Sequence, residues 1–293
     1  MRVKGQPDKE FLMSDCFMQA VYRRPVLAVF CASLLGLVCT GSAFAAPEKI
    51  VMAAHRAVYD MKLIRSQNGG PDAAKGRIVI EFAGSACEGY TQTIRQVFEI
   101  SSAEGESERI DFRSTTFEAG DSNRFNFMRD NRKASEKPEK TEGFVEKRNK
   151  NTVLTVTKPK RKPSDLPEAT LFPTEHMVAL IKAAQTGQNR FAAPLFDGTD
   201  DDNRVFDTVA VIGSAKTEAE ANPATSVLTG MTRWPMSLSF FEREKADGLP
   251  AQTMRFQVYA NGVISTMVID FGDFALGGEL TSLTMLKPSK CDK

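Results

Sequence analysis

The chain has 293 residues, of which 42% are hydrophobic and 26% are charged, and its formal net charge is +1. This balance of charges excludes the strongly basic surface by which proteins bind nucleic acids. The length is sufficient for one large β-sheet domain or for two smaller domains.

The first 45 residues are predicted to be a secretion signal preceded by a short extension. Arg23 and Arg24 form a positively charged start, residues 25–41 form an apolar run, and Ala43-Phe44-Ala45 is a small-x-small cleavage site. The apolar run is shorter than the roughly 20 residues that a spanning helix needs, so a retained membrane anchor is the disfavoured alternative. We therefore predict a mature chain of residues 46–293, forming a single periplasmic domain that is not an integral membrane protein.

Cleavage at this site changes both the charge and the cysteine count. It removes five basic and three acidic residues, so the formal charge moves from +1 to −1, and it removes three of the five cysteines. Only Cys87 and Cys291 remain, and an even pair in an oxidising compartment predicts a disulfide. Metal binding would need more ligands, and a redox motif would need C-x-x-C spacing. On the chain-entropy model, a loop of about 200 residues stabilises the fold by up to about 5 kcal/mol.

Beyond the signal, the dominant pattern is an alternation of apolar and polar residues with a period of two. Residues 57–64 place Ala57, Tyr59, Met61 and Leu63 on one face, as a half-buried strand does. Eleven further segments have strand character, and most are bounded by turn residues. The twelve predicted strands cover residues 57–64, 76–84, 89–100, 109–118, 123–130, 142–147, 151–158, 204–213, 236–244, 253–259, 263–272 and 277–287.

The clearest turn signal is Asn261-Gly262, which predicts a hairpin with a two-residue turn and positive φ at both positions. About a dozen antiparallel strands predict a large curved sheet, because a flat sheet of that size would expose its edges and one apolar face. The segment 158–167 contains three prolines and is predicted to be a stiff connector.

One helix is predicted between residues 172 and 187. Thr174 is its predicted N-cap, Gly187 its stop, and Met177, Leu180, Ile181 and Ala184 its apolar face. Such a helix can cover a sheet that is open on one side.

Catalytic and metal-binding motifs are not found in the mature sequence, so we predict no enzyme, no cofactor and no metal site. His55 and His176 lack zinc-ligand spacing, and His176 is expected to be a surface residue of the helix. Residues 197–203, DGTDDDN, depart from a calcium loop at two positions and predict an acidic turn. Glu242 and Glu244 share one predicted strand face and are the only carboxylate pair that we consider for hydrolysis.

Several blocks of the sequence resemble a known family. HRAVYDMKL, FAGSACEGY, DFRSTTFEAGD, LFPTEHMVALIKAA, LFDGTDDDNRVFDTVAVIG and YANGVISTMVIDFGDFALGGELTSL occur in this order over the mature chain. They are similar to the blocks of the periplasmic cell-envelope integrity proteins of the EipB type, which occur in alphaproteobacteria. The sequence departs from the family pattern at DDDN.

The resemblance implies a β-spiral, or open half-barrel, of antiparallel strands with one packed helix and a disulfide between Cys87 and Cys291. It also implies a non-enzymatic role in envelope integrity under stress, with other envelope proteins as partners. The spiral is similar in shape to the lipoprotein carriers LolA and LolB, which hold acyl chains. An open curved sheet must cover its concave face with side chains, a helix or a ligand. The candidate lining residues of a hydrophobic groove are Phe125, Phe127, Met177, Ile181, Phe240 and Phe256.

Three functions follow from these expectations. The leading one is a periplasmic protein that maintains the envelope by binding a lipid, an acylated protein or a protein partner in the groove. The second is a structural interaction module whose concave face is filled by its own side chains, which would make the six candidates ordinary core residues. The third is an envelope hydrolase that uses carboxylates.

Overall fold

A computed structural model describes residues 50–291, apart from residues 68, 103–104, 135–136, 201–202 and 246–247. The predicted signal peptide and its cleavage site lie outside these residues. No helix among the described residues has the length and the apolar composition needed to cross a membrane.

Among the described residues, fourteen strands form one antiparallel sheet in the order β8-β7-β6-β5-β4-β3-β2-β1-β14-β13-β12-β11-β10-β9. The strands are β1 His55–Ser66, β2 Ala73–Ser85, β3 Gly89–Ser101, β4 Ser107–Glu118, β5 Arg124–Lys133, β6 Glu139–Arg148, β7 Asn151–Lys158, β8 Lys162–Leu166, β9 Arg190–Leu195, β10 Phe206–Ile212, β11 Arg233–Glu242, β12 Gln252–Tyr259, β13 Ile264–Asp270 and β14 Phe274–Met285.

The sheet consists of two meanders that meet where β1 pairs with β14. The first meander runs from β1 to β8, a helix follows, and the second runs from β9 to β14. Because β8 and β9 are the two ends of the strand order, the curved sheet is not closed. This confirms the predicted mainly-β fold with a large curved antiparallel sheet.

The predicted inward face of β1 is confirmed. Ala57, Tyr59 and Met61 are buried, and the residues between them are more exposed. The same alternation continues around the sheet and produces a large apolar core inside the curve. All twelve predicted strands correspond to strands of the structure.

The sequence analysis missed two strands, β8 and β9. The predicted connector contributes β8, which pairs with β7 through residues 162–166 and contains Pro163. A proline is tolerated there because β8 is an edge strand, where one side of the backbone needs no partner. β9 is only six residues long and contains Pro194, so it has little alternating pattern.

The hairpin at Asn261-Gly262 exists between β12 and β13, but its predicted turn type is wrong. The Gly262 amide donates to the Tyr259 carbonyl at 2.8 Å, and the Tyr259 amide donates to the Val263 carbonyl at 2.9 Å. Of the two predicted turn residues, only Gly262 has positive φ, at 85°. This is a three-residue loop, in which a turn is followed by a left-handed residue.

The only α-helix among the described residues, α1, spans Pro173–Gln185. Leu180, Ile181, Ala183 and Ala184 are buried in the core, as a covering helix requires. Gly187, with φ of +76°, follows the helix end, which confirms the predicted stop. The N-cap prediction is wrong, because the helix begins at Pro173 and Thr174 lies inside its first turn.

A disulfide joins Cys87, in the turn between β2 and β3, to Cys291, beyond β14. The two Cα atoms are 5.7 Å apart although 204 residues separate them in the sequence. The end of β14, the start of β1 and the end of β2 lie side by side, at the same end of their three neighbouring strands. The disulfide therefore fastens the C-terminal segment across the line where the two meanders meet.

Candidate functional site

A cavity of about 220 Å³ lies inside the curve of the sheet. One wall consists of residues from β1 to β4, the opposite wall of residues from β11 to β13, and the first turn of α1 contributes a third side. The volume lies between the roughly 150 Å³ cavity that holds benzene and the roughly 300 Å³ at which drug-sized sites begin. The cavity therefore has room for a small apolar group or for one segment of a longer chain.

The wall from β11 and β12 is apolar. Its lining side chains are Leu238, Phe240, Met254 and Phe256. They come from neighbouring strands, because Leu238 is paired with Met254 in the ladder. This wall offers dispersion contacts and no hydrogen-bonding side chain.

The wall from β3 and β4 carries polar side chains, namely Gln92, Ser114 and Thr116. Gln92 lies directly opposite Thr116 in the ladder, and Ile94 lies opposite Ser114. Ser114 and Thr116 are 3% and 7% exposed. Within the described part of the chain, these three side chains have no hydrogen-bond partner, and their polar atoms are not among the fully buried ones that lack a partner.

Glu118, the last residue of β4, faces the same interior and caps α1. Its carboxylate accepts hydrogen bonds from the backbone amides of Thr174, at 2.7 Å, and Glu175, at 2.8 Å. Burial raises the pKa of Glu118, and the two amide donors act in the opposite direction. A carboxylate at this end of a helix is favourable because the first amides are otherwise unpaired and the helix dipole is positive there.

His176 lies on the cavity wall from α1 and is 3% exposed, so its predicted place on the surface is wrong. Its Nε2 is 2.8 Å from the Thr208 hydroxyl, which itself donates to the Ala193 carbonyl at 2.7 Å. Nε2 must therefore carry the hydrogen and donate to Thr208. Burial lowers the pKa of His176 to about 4, so the ring is neutral at pH 7.

The second histidine, His55, lies at the start of β1 on the same cavity. Its Nδ1 donates to the Ala53 carbonyl at 2.7 Å, because a carbonyl can only accept. Burial lowers the pKa of His55, although this hydrogen bond opposes the shift. Both histidines of the sequence are thus uncharged components of the cavity wall.

Asp197 is an acidic residue on the cavity wall. It accepts hydrogen bonds from the amide and the hydroxyl of Thr199, at 2.9 and 2.8 Å, and burial raises its pKa. Arg129 of β5 holds the same loop by donating to the carbonyls of Gly198 and Asp200. This agrees with the predicted acidic turn, although residues 201 and 202 lie outside the described residues.

The structure divides the six predicted groove residues into two groups. Met177, Phe240 and Phe256 line the cavity. Ile181 is fully buried in the main core, and Phe125 and Phe127 belong to a separate aromatic cluster with Phe172 and Phe196. The Phe125 ring centroid lies 5.1 Å from that of Phe172, and the Phe127 centroid lies 5.5 Å from that of Phe196. Phe125 and Phe127 therefore pack against protein side chains beyond β4.

The carboxylate pair considered for hydrolysis does not share a strand face. Glu242 ends β11, and Glu244 lies in the following turn and is exposed. Glu242 accepts from Arg204 at 2.6 Å and from Lys245 at 3.0 Å, so both of its oxygens are engaged in ion pairs. The described residues contain no group of three or more side chains suited to hold a metal ion.

Sequence reasoning missed Gln92, Ser114, Thr116 and Glu118. Ser114, Thr116 and Glu118 alternate along β4, so the pattern was visible in the sequence. Alternating polar residues are typical of the solvent face of a strand, so the pattern alone does not indicate an inner polar face. Only the pairing of β4 inside the curve shows that this polar face is the inner one.

An open, curved antiparallel sheet with an internal cavity defines a β-barrel-like protein, and comparisons with known proteins identify its family. The EipB-like family model matches residues 46–287, so the chain belongs to the EipB-like family. A relative from Brucella abortus, named cell envelope integrity protein EipB, is 34% identical over 85% of this chain and 89% of its own.

A solved structure supports the fold. A crystal structure of a β-barrel-like protein from Brucella abortus, titled as a domain of unknown function, matches with a TM-score of 0.76. It shares 33% sequence identity, and the match covers 81% of this chain and all of the solved chain.

Proposed function

We propose that this protein acts in the periplasm, after export, as a non-enzymatic binding protein that maintains the integrity of the cell envelope. The name of the Brucella relative and the family membership support the envelope role. The predicted signal at residues 1–45 and the disulfide support an oxidising compartment.

The observation that carries the binding function is the cavity inside the sheet. Most of the interior is filled by packed side chains, but the space between β3–β4, β11–β12 and α1 is not. Protein interiors are otherwise closely packed, and an internal space of this size costs stability. An apolar segment of a lipid or of an acylated protein would recover the lost contacts.

The cavity size restricts the ligand. At about 220 Å³ the cavity is smaller than a typical site for a whole drug-sized molecule. The protein therefore encloses one apolar segment, and the remainder of a lipid or acylated protein stays outside.

One experiment tests binding directly. Protein purified gently from the periplasm should show excess mass in a native mass spectrum, released on denaturation and identified as a lipid or an acylated peptide. Met254 lines the cavity, and the larger side chain of Met254→Trp should fill it and remove the excess mass. Met128→Trp is the matched control, because Met128 lies on β5, is exposed and does not line the cavity.

The envelope role has its own test in the living cell. Deletion of the gene should increase sensitivity to detergents and to antibiotics that act on the envelope, and the Met128→Trp protein should restore resistance. An unchanged sensitivity after deletion contradicts the envelope role.

The second candidate is a structural interaction module without a ligand. It is favoured by the packing of Phe125, Phe127 and Ile181, which lie in the core and not on the cavity wall. A bare polypeptide mass, together with full function of the Met254→Trp protein in the cell, supports this candidate over the first.

A further inference from the structure

Three polar residues face the interior from consecutive alternate positions of β4, namely Ser114, Thr116 and Glu118. The fold accounts for Glu118, whose carboxylate caps α1. It does not account for Ser114 and Thr116, which are more than nine-tenths buried and whose hydroxyls have no recorded partner among the described residues. Neither hydroxyl oxygen is among the fully buried polar atoms that lack a partner, and both residues line the cavity, so the two hydroxyls are available to a ligand in that space.

Gln92 extends the same group across the sheet. It lies opposite Thr116 on β3, so the two side chains are neighbours on the inner face. Ser114 is two residues along β4 from Thr116, about 7 Å away at the usual rise of a strand. We call Gln92, Ser114 and Thr116 the polar patch. It carries an amide and two hydroxyls, which together donate and accept hydrogen bonds and carry no charge.

The surroundings of the polar patch determine which ligand group suits it. No lysine or arginine lines the cavity in the part of the chain that the structure describes. The two histidines on the wall have lowered pKa values and are neutral. Arg129, a buried basic side chain opposite Ser114 in the ladder, does not line the cavity and donates to the carbonyls of Gly198 and Asp200. A buried anionic group would therefore lie close to Asp197 and Glu118 with no lining cation to balance it.

A cationic group is disfavoured for a different reason. The Glu118 carboxylate is engaged by two backbone amides, and Asp197 Oδ1 accepts from both the amide and the hydroxyl of Thr199. The cavity thus combines an apolar wall on β11–β12 with an uncharged hydrogen-bonding wall on β3–β4.

We infer that the polar patch of Gln92, Ser114 and Thr116 binds an uncharged polar group, such as an amide, an ester or a hydroxyl, attached to an alkyl chain. The alkyl part lies against Leu238, Phe240, Met254 and Phe256. This inference rests on the proposed binding function and specifies the ligand class. It selects against free fatty acids and alkyl amines, whose ends are charged at pH 7.

The test uses four small probes on the folded, disulfide-bonded mature protein, with calorimetry at pH 7. Octanamide is neutral and polar, octanoate is anionic, octylammonium is cationic, and toluene is apolar. Octanamide should bind at least about tenfold more tightly than octanoate or octylammonium, because burying an unpaired charge is much more costly than burying a paired amide.

The double variant Ser114→Ala with Thr116→Val removes both hydroxyls at nearly constant volume. It should weaken octanamide binding by about fivefold to tenfold, the usual worth of one or two neutral hydrogen bonds. It should leave toluene binding unchanged or tighter, which also shows that the variant is folded. The matched control is Ser239→Ala with Thr253→Val, an opposed pair on β11 and β12 whose hydroxyls lie 3.1 Å apart and do not line the cavity.

The outcomes separate this inference from the proposed function. If toluene binds but octanamide does not exceed octanoate, or the double variant equals the control, the inference is wrong and an apolar binding cavity remains. Tighter binding of octylammonium also overturns the inference, in favour of recognition by Asp197. If neither toluene nor an octyl probe binds, the inference and the binding function fail together.

Discussion

The carboxylate of Glu118 lies 2.7 Å from the backbone amide of Thr174, although 56 residues separate them in the sequence. The contact joins the end of β4 to the first turn of α1, and a second hydrogen bond to the Glu175 amide strengthens it. The position of the helix over the cavity therefore depends on the last residue of β4. Hydrogen bonds to a charged acceptor are about twice as strong as neutral ones, so this contact is well suited to hold the helix.

Substituting Glu118 should lower the stability of the fold. Glu118→Ala leaves two helix amides without acceptors and should reduce the free energy of unfolding by about 2–4 kcal/mol, since each loss costs about 1–2 kcal/mol. Urea denaturation measures this change. Glu81→Ala is the control, because Glu81 is exposed on β2 and should change stability by less than about 0.5 kcal/mol. Equal effects of the two substitutions would show that Glu118 does not hold the helix.

Loss of the disulfide should destabilise the fold and loosen the C-terminal segment. Replacing both Cys87 and Cys291 by Ser should reduce the free energy of unfolding by about 2–5 kcal/mol and expose the segment after β14 to proteases. Thermal denaturation and limited proteolysis measure the two effects. The wild-type protein treated with a reductant should behave like the double variant. An unchanged melting temperature in both samples would show that the bridge contributes nothing.

The contribution of His176 to the stability of the protein should fall as the pH drops below about 6.5. An unfolded histidine has a pKa near 6.5, whereas burial holds folded His176 at about 4. Between these values only the unfolded chain takes up the proton, so acid favours unfolding, and above them His176 has no effect. At pH 4.5 this costs up to about 3 kcal/mol, at about 1.4 kcal/mol for each pH unit.

The variant His176→Gln isolates this effect, because glutamine keeps a donor for Thr208 but does not titrate. Its unfolding free energy should lose about 2 kcal/mol less than that of the wild type between pH 7 and pH 4.5. His55 also has a lowered pKa and remains in both proteins, so its effect cancels in the comparison. Equal losses in the two proteins would contradict a neutral, buried His176.

The buried ion pair between Arg233 and Glu220 should stabilise the loop after β10, which contains Glu220. The Arg233 Nε lies 3.0 Å from a Glu220 oxygen, and the two side chains are only 7% and 9% exposed. Arg233→Met alone leaves Glu220 buried without its cationic partner, with the Ser265 hydroxyl still donating to it, and should cost about 3–5 kcal/mol. Adding Glu220→Gln should recover part of that loss, which denaturation of the single and double variants measures.

The control for this pair is an ion pair on the outside of the sheet. Arg95 lies 2.9 Å from Asp111, but its side chain is about half exposed. Arg95→Met should therefore cost less than about 1 kcal/mol. A similar cost at Arg233 would show that burial adds nothing to the Arg233–Glu220 pair.

Twelve of the strands and the inner face of β1 could be predicted from the amino-acid pattern. Ala57, Tyr59 and Met61 alternate with polar residues, and the period of a strand is a local property that each segment carries in its own residues. The pair of mature cysteines predicted the disulfide for a similar reason, since it required only a count and a compartment. The strands β8 and β9 were not predicted, because these edge strands contain prolines and lack the alternation of apolar and polar residues.

The position of α1 also could not be predicted in full. Thr174 has the residue type of an N-cap, but a glutamate from β4 supplies the oxygens, and no local pattern connects Glu118 to the helix. His176 is a polar residue in the first turn of a helix, where a surface position is expected. Its hydrogen bond to Thr208 of β10 instead places the side chain in the interior of the sheet. Both outcomes depend on which strands lie beside the helix.

Which of the predicted groove residues surround the cavity depends on the tertiary structure. Six apolar residues satisfied the same sequence criterion, yet Met177, Phe240 and Phe256 line the space, while Phe125, Phe127 and Ile181 fill the core. The difference arises from the order of the strands, in which β1 and β14 pair across the length of the chain. Alternation determines which residues share a face of one strand, but the faces that meet inside a curved sheet are set by long-range pairing, which local periodicity does not encode.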